Sequence, residues 1–409
     1  MTNSAVKEGE NSASNIAING CKKGGHNWRQ WPQALLYTAL CLGALEAVFC
    51  LAQVGNTEYI KPDMLVGYKP MEGKEITQRR EGFAHLRFNS FGMQNDEVPL
   101  LKPPGTLRIA VLGDSYVESI QVDRSQNYCS LLAKELSQKL HRPVQVLNFG
   151  VANYSIAQDY LRYQNLARQF KPDLVILGFR VEEVAKLLPE PTKKLMSVRP
   201  VFFPKADGSL QYDNTCVRNF FSCAEGKRIV NTYWLRRNSN IWGVVGGMAQ
   251  TVMAESAKVL GKGVEAAKPG DPAAPKTTVQ SKAQTEEEKA VQLARANYTK
   301  CYWNLMDAQL SNFAAACRAD GARMMIIRTP SGSINNAETE LLLKSADRLG
   351  VNVLQVDKNY KDTFTAADSV NHFLGHGHFT ASMHRWVAGQ LTAFLTEHPD
   401  LLEVKSNAK

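Results

Sequence analysis

The chain has 409 residues, 44% of them apolar, with 48 basic against 39 acidic side chains and a net charge of +9. That is enough chain for one large domain or two ordinary ones, and enough apolar material to exclude a wholly disordered protein. The basic excess is spread along the sequence, with no stripe interleaved with aromatics and no fixed repeat, which excludes repeat architectures and argues against nucleic-acid binding.

Residues 1–30 are polar and rich in Ser, Asn and Gly, the composition of a disordered tail, and close with Lys22, Lys23, His26 and Arg29. Residues 31–54 then read WPQALLYTALCLGALEAVFCLAQV, with Glu46 the only charged side chain. A helix rising about 1.5 Å per residue over such a stretch crosses a hydrocarbon core of about 30 Å. Glu46 near the bilayer centre costs about 2–3 kcal/mol. An apolar surface on every side argues against a buried core helix. A cleaved signal peptide is a second alternative, with Cys50-Leu51-Ala52 a weak cleavage signal, but its polar lead-in is unusually long. Phe49 before Cys50 fits a lipoprotein site poorly. The favoured reading is an uncleaved anchor over 31–54. Basic residues ahead of it place the N-terminus in the cytoplasm and the remainder in the periplasm or outside the cell.

Eight cysteines are compatible with that placement. Cys21, Cys41 and Cys50 lie in or before the apolar stretch. Cys216 and Cys223 bracket TCVRNFFSC and are candidates for a disulfide in an oxidising compartment. Cys129, Cys301 and Cys317 leave an odd thiol. No CxxC supports a zinc ribbon or a thioredoxin-like site.

Beyond the anchor, residues 55–104 read as an extended lead-in that ends in a Pro-Pro-Gly punctuation at 103–105. The texture then changes to short apolar runs alternating with amphipathic stretches. RIAVL (108–112), VQVLNF (144–149), DLVILGF (173–179), RMMIIRT (323–329) and VNVLQV (351–356) read as buried strands. Helical patterns fall at 124–140, 156–169, 335–348 and 381–396. This alternation predicts an α/β fold, a three-layer α/β/α sandwich on a five-stranded, mostly parallel sheet. The domain occupies 105–185 and 301–398, is interrupted by an insertion over 186–300 with a flexible linker at 262–290, and ends in a tail at 399–409. Ligands of such sheets sit beyond the carboxyl ends of the strands.

The first strand ends in Gly113-Asp114-Ser115. A serine there exposes its hydroxyl at the sheet edge, where a helix N-terminus offers N–H groups to a developing oxyanion; the same residues serve equally as a simple N-cap. Near the other end, His372, His376, His378 and His384 fall within thirteen residues, ahead of the last helix. A nucleophilic serine needs such an imidazole within hydrogen-bond reach.

Four segments carry a resemblance to the SGNH, or GDSL, hydrolases, a family of esterases and acyltransferases: RIAVLGDSYVES, VLNFGVANYSIAQ, DLVILGF and HGHFTASMHRWVA. The resemblance implies Ser115 as nucleophile, His378 as general base, Gly150 as an oxyanion donor and no cofactor. The upstream RFNSFGM…KPPGT resembles the lead-in of membrane-anchored bacterial members, which often act on acyl groups of envelope or exported polysaccharides. That implies a single-pass protein of the inner membrane.

Two positions depart from the family pattern. Where an Asn-Asp pair is expected after the third strand, the chain has Glu182 and Glu183, and an ionised carboxylate cannot donate to an oxyanion. Losing one such donor costs about 10²–10³ in rate. Where an Asp should precede the base, Gly375 and His376 stand. Asn153 is the candidate replacement donor and Asp368 the candidate orienter of His378. Three functions follow: a serine esterase or O-acyltransferase on an acylated carbohydrate, a catalytically degenerate module that binds a glycan or partner, or a metal site on His376 and His378. The last lacks accompanying carboxylates at ligand spacing.

Overall fold

The computed structural model describes residues 31–55, 57–180, 186–187, 194–205, 209–246, 248, 286–329 and 336–403. It divides into two units, residues 1–48 and 49–409. In the first, the helix Trp31–Leu51 begins; it is apolar apart from Gln33, Thr38 and Glu46, buries none of its residues, and is long and apolar enough to cross a membrane. The expected span over 31–54 is thus helical as far as Leu51.

The second unit is built on a parallel sheet. Five strands pair in the order β9 (Asn352–Gln355), β8 (Arg323–Arg328), β7 (Leu174–Phe179), β5 (Leu107–Leu112) and β6 (Val144–Asn148). All four ladders are parallel, so this is the α/β sandwich expected from the sequence. In chain order the strands lie 2-1-3-4-5, and the order reverses beside the first strand. That reversal puts the carboxyl end of β5 at the natural ligand crevice.

Side chains of β5 alternate between two cores. Ala110 and Leu112 pack with Leu147, Val175, Ile326 and the helices Ile156–Asn165, Glu286–Ala319 and Asn336–Leu349. Ile109 and Val111 pack the other way, with Val146, Ile176, Ile327 and the helices Tyr128–Leu140 and Ala381–Glu397. Burial on both faces is why these strands read as unbroken apolar runs.

The lead-in is more structured than expected. It forms two antiparallel hairpins, β1 (Ile60–Asp63) with β2 (Gly67–Pro70), and β3 (Glu75–Gln78) with β4 (Ala84–Arg87). Tyr59, Tyr68, Leu86 and Phe88 from this segment share a third core with Val151, Tyr154 and Leu161. Phe202, Val217, Phe220 and Ile229 of the insertion complete it. The lead-in and the first part of the insertion therefore cap the loop that follows β6.

The expected linker over 262–290 lies outside the described residues as far as 285. From Glu286 the chain is helical to Ala319, so the boundary placed at 300 falls inside one helix. At the C-terminus, Leu401 and Leu402 are buried in a short turn of helix, and the tail starts later than 399.

The proposed disulfide is not present. Cys216 lies in the helix Thr215–Ser222, not a loop, and Cys223 caps its end; both are free thiols. Seven residues of helix rise about 10 Å, beyond the 4.4–6.8 Å Cα separation a disulfide tolerates, roughly.

Candidate active site

Ser115 opens a four-residue helix, Ser115–Glu118, immediately after β5. The turn is forced by Gly113, whose φ is +148°. A Cβ there would lie 2.6 Å from Val117 Cγ2 and 3.0 Å from Gly178 O, so only glycine lets the strand pass directly into the helix. Asp114 caps it, its Oδ1 accepting from Tyr116 N at 3.1 Å. The N-cap reading and the nucleophile reading thus concern adjacent residues: Asp114 caps, and the half-buried Ser115 is left facing the strand ends.

His378 comes from the turn ahead of the helix Ala381–Glu397. Leu374 N donates to His378 O at 2.7 Å and Gly377 N to Leu374 O at 2.8 Å, closing a tight loop. Tyr116, next to the serine, donates its hydroxyl to Gly377 O at 2.9 Å and rests its ring 5.3 Å from the imidazole. Held this way, His378 Nε2 is 2.8 Å from Ser115 Oγ. Residues 263 apart in sequence are in hydrogen-bond contact.

The carboxylate behind the histidine is Glu81, which the sequence did not single out. Its Oε2 is 2.5 Å from His378 Nδ1, and its Oε1 accepts from His376 N at 3.0 Å and His378 N at 3.2 Å. Burial pushes the Glu81 carboxyl up. The His378 side chain and the two backbone N–H groups outweigh it and hold the pKa below its ordinary value. Glu81 is therefore a buried anion, fit to fix the imidazole tautomer and to balance a charged His378. It sits in the turn between β3 and β4. Gly82, φ +74°, seats that turn: a Cβ would be 2.3 Å from Gln121 O.

The candidate orienter Asp368 is not there. Its Oδ2 accepts from Thr365 N and Thr365 Oγ1, both at 2.8 Å, so it caps its own turn. His376 reaches the site through its backbone N–H alone. His384, the second histidine of the block, is buried against Tyr128 and Phe379. Burial, with the charge of His378 adding to it, pushes its pKa down to about 3, so it is neutral and structural. Among the described residues no group of three or more His, Cys, Asp or Glu side chains is arranged for a metal.

On the oxyanion side the expectations are corrected. Gly150 N donates to Asn148 Oδ1 at 3.0 Å, and Asn148 Nδ2 to Val117 O at 2.7 Å, so Gly150 braces the nucleophile helix instead of presenting a free donor. Its missing side chain matters for another reason: a Cβ would be 2.3 Å from Glu118 N. The Asn153 amide donates to Met196 O at 2.7 Å and is not available either. Asn153 does adopt φ +61°, a left-handed conformation common for Asn. The backbone N–H groups of Ser115 and Asn153 donate to nothing among the described residues. Glu182 and Glu183 lie outside the described residues. Arg180, just before them, places its guanidinium 4.5 Å from the Tyr116 ring centroid and 3.3 Å from Asp114 Oδ2.

No protein-family model matches the chain, and no curated protein does. Solved structures match in overall chain path. An alpha/beta hydrolase from the metagenome of Lake Arreo, Spain, is 12% identical with a TM-score of 0.35, over 73% of this chain and 97% of that one. An acetylxylan esterase from Geobacillus stearothermophilus is 10% identical with a TM-score of 0.35, over 71% and 93%. A lipase/acylhydrolase from Enterococcus faecalis is 9% identical with a TM-score of 0.37, over 73% and 99%. Such identities say nothing of individual residues, whose roles rest on the distances above.

Proposed function

We propose that the protein is a membrane-tethered serine esterase or O-acyltransferase acting on acyl esters of an envelope or exported polysaccharide. The observation that carries this reading is the continuous line from Glu81 through His378 to Ser115, with contacts of 2.5 and 2.8 Å. The substrate class follows the resemblance to membrane-anchored SGNH members, and the basic residues before the apolar helix put the domain on the non-cytoplasmic side.

In this mechanism Ser115 Oγ attacks the ester carbonyl while its proton passes to His378 Nε2. Glu81 stabilises the imidazolium through Nδ1–H. The oxyanion is met by the Ser115 N–H, at the start of its helix, and by the Asn153 N–H. Collapse expels the alcohol, which takes the proton from His378 and leaves an acyl-serine. Water then releases a free acid, or an acceptor hydroxyl takes the acyl group. With Glu81 in place, the missing Asp of the histidine block no longer argues for a degenerate site.

The test is to treat the full-length protein with a fluorophosphonate and locate the adduct by mass spectrometry. Acetate release from acetylated xylan is followed in parallel. The reading expects a single adduct on Ser115, absent from Ser115→Ala, together with acetate release or acetyl transfer to an added oligosaccharide. An unlabelled wild-type protein that still retains the glycan would establish the binding module instead.

A further inference from the structure

The Ser115–Glu118 helix ends on a carboxylate that the mechanism above does not use. Glu118 is almost completely buried, one turn from the nucleophile. Its Oε2 accepts from Tyr59 OH at 2.9 Å. Tyr59 belongs to the lead-in and is fixed there by stacking on Phe88, with ring centroids 5.1 Å apart. The loop that follows β6 packs against the same short helix. Gly150, two residues before Ala152 in that loop, packs against the backbone of Val117 and Glu118. The carbonyl of Ala152 accepts from Tyr68 OH at 2.8 Å, again from the lead-in. Residue 152 is thus held by its carbonyl to the lead-in, immediately before Asn153.

We propose that Glu118 is a positioning residue: held by Tyr59, it sets the loop 150–153 against the nucleophile turn and so fixes where the oxyanion donor on that loop stands. The inference rests on the serine-acylation reading and extends it. The lead-in then supplies both sides of the site, Glu81 behind the base and the Tyr59–Glu118 pair beneath the oxyanion loop.

The charged and titratable groups around Glu118 are Tyr59 and Tyr68 of the lead-in, Tyr154 and Arg162 of the loop and helix after β6, and Asp114 of its own turn. Burial dominates and pushes the Glu118 carboxyl up to about 8. Tyr59 and Arg162 favour the anion, and Asp114 opposes it. At neutral pH the group is a protonated acid. Its ionisation in mildly alkaline solution places a negative charge beside the site where an oxyanion must form.

The experiment uses the full-length protein, p-nitrophenyl acetate as ester probe, and fluorophosphonate titration to count competent sites. Misplacing a reacting group by about 1 Å costs on the order of 10²-fold, so Glu118→Ala is expected to lower kcat per titrated site by about 10–100-fold at nearly constant KM. Glu118→Gln, which can still accept from Tyr59, is expected to restore most of that loss. The wild-type rate should also fall as the pH rises through about 8, a limb that Glu118→Gln removes. The inference is overturned if Glu118→Ala lowers only the number of folded molecules and leaves kcat per site unchanged. It is equally overturned if Glu118→Gln keeps the alkaline limb. A wild-type protein that neither turns over nor labels would bring down the acylation reading itself, and this inference with it.

Discussion

Glu81 and Asp368 are two acidic side chains offered to one histidine, and the fold uses the distant one. Asp368 lies ten positions before His378, but it turns inward on Thr365 and is spent capping its own backbone. Glu81 lies 297 residues away and arrives in a turn whose glycine is pressed against Gln121. Proximity in sequence put Asp368 near the base without the chain geometry to aim it. A hairpin packed on a separate small core aims Glu81 and buries it. The lesson is that the lead-in, which runs ahead of the α/β domain in sequence, supplies the carboxylate that holds His378.

The largest effect expected is that of His378→Ala, which removes the group both carboxylates would serve. It should lower kcat/KM by about 10⁴–10⁶. A smaller loss in single-turnover kinetics would mean that neither acid matters. Gly82→Ala addresses the lead-in alone. The added Cβ has to displace Gln121 or move Glu81, so kcat should fall by about 10–100-fold with a melting temperature lower by several degrees. An active, fully stable variant would show that the turn is not what seats the carboxylate.

A third effect is on stability against pH. The folded state holds Glu81 more acidic than the unfolded chain does. Its contribution is complete above the ordinary carboxylate pKa and is lost as the pH falls through the folded value. Melting temperatures measured toward acid should fall more steeply for wild type than for Glu81→Gln; parallel curves would contradict the buried anion. Smallest of all, the paired change Cys216→Ser and Cys223→Ser should leave stability within about 0.5 kcal/mol under oxidising conditions, since no bond is lost. A clear drop in melting temperature would bring the disulfide back.

The sheet was legible in the sequence because its strands are buried on both faces, and runs such as RIAVL and DLVILGF leave no other reading. The meeting of Ser115 and His378 was legible too, for each sits in a marked local pattern: a glycine-forced strand-to-helix turn, and a histidine cluster ahead of the last helix. Glu81 was not. Nothing in RREGF marks its glutamate from the chain's other acids, and only the left-handed Gly82 after it hints at a fixed turn. The oxyanion side was misread for a related reason. Gly150 is needed for close approach to Glu118 N, not for a free N–H, and a sequence does not distinguish those uses of glycine. The paired cysteines were misread because TCVRNFFS forms a helix, with Val217 and Phe220 on its buried face.

The central claim is that the lead-in supplies the acid of the triad. The most direct measurement compares the rate of fluorophosphonate labelling of Ser115 in Glu81→Gln and Asp368→Asn side by side at neutral pH. The claim predicts a loss of about 10³–10⁴ for the first and no measurable change for the second. Equal rates for wild type and Glu81→Gln, or a large loss in Asp368→Asn, would contradict it.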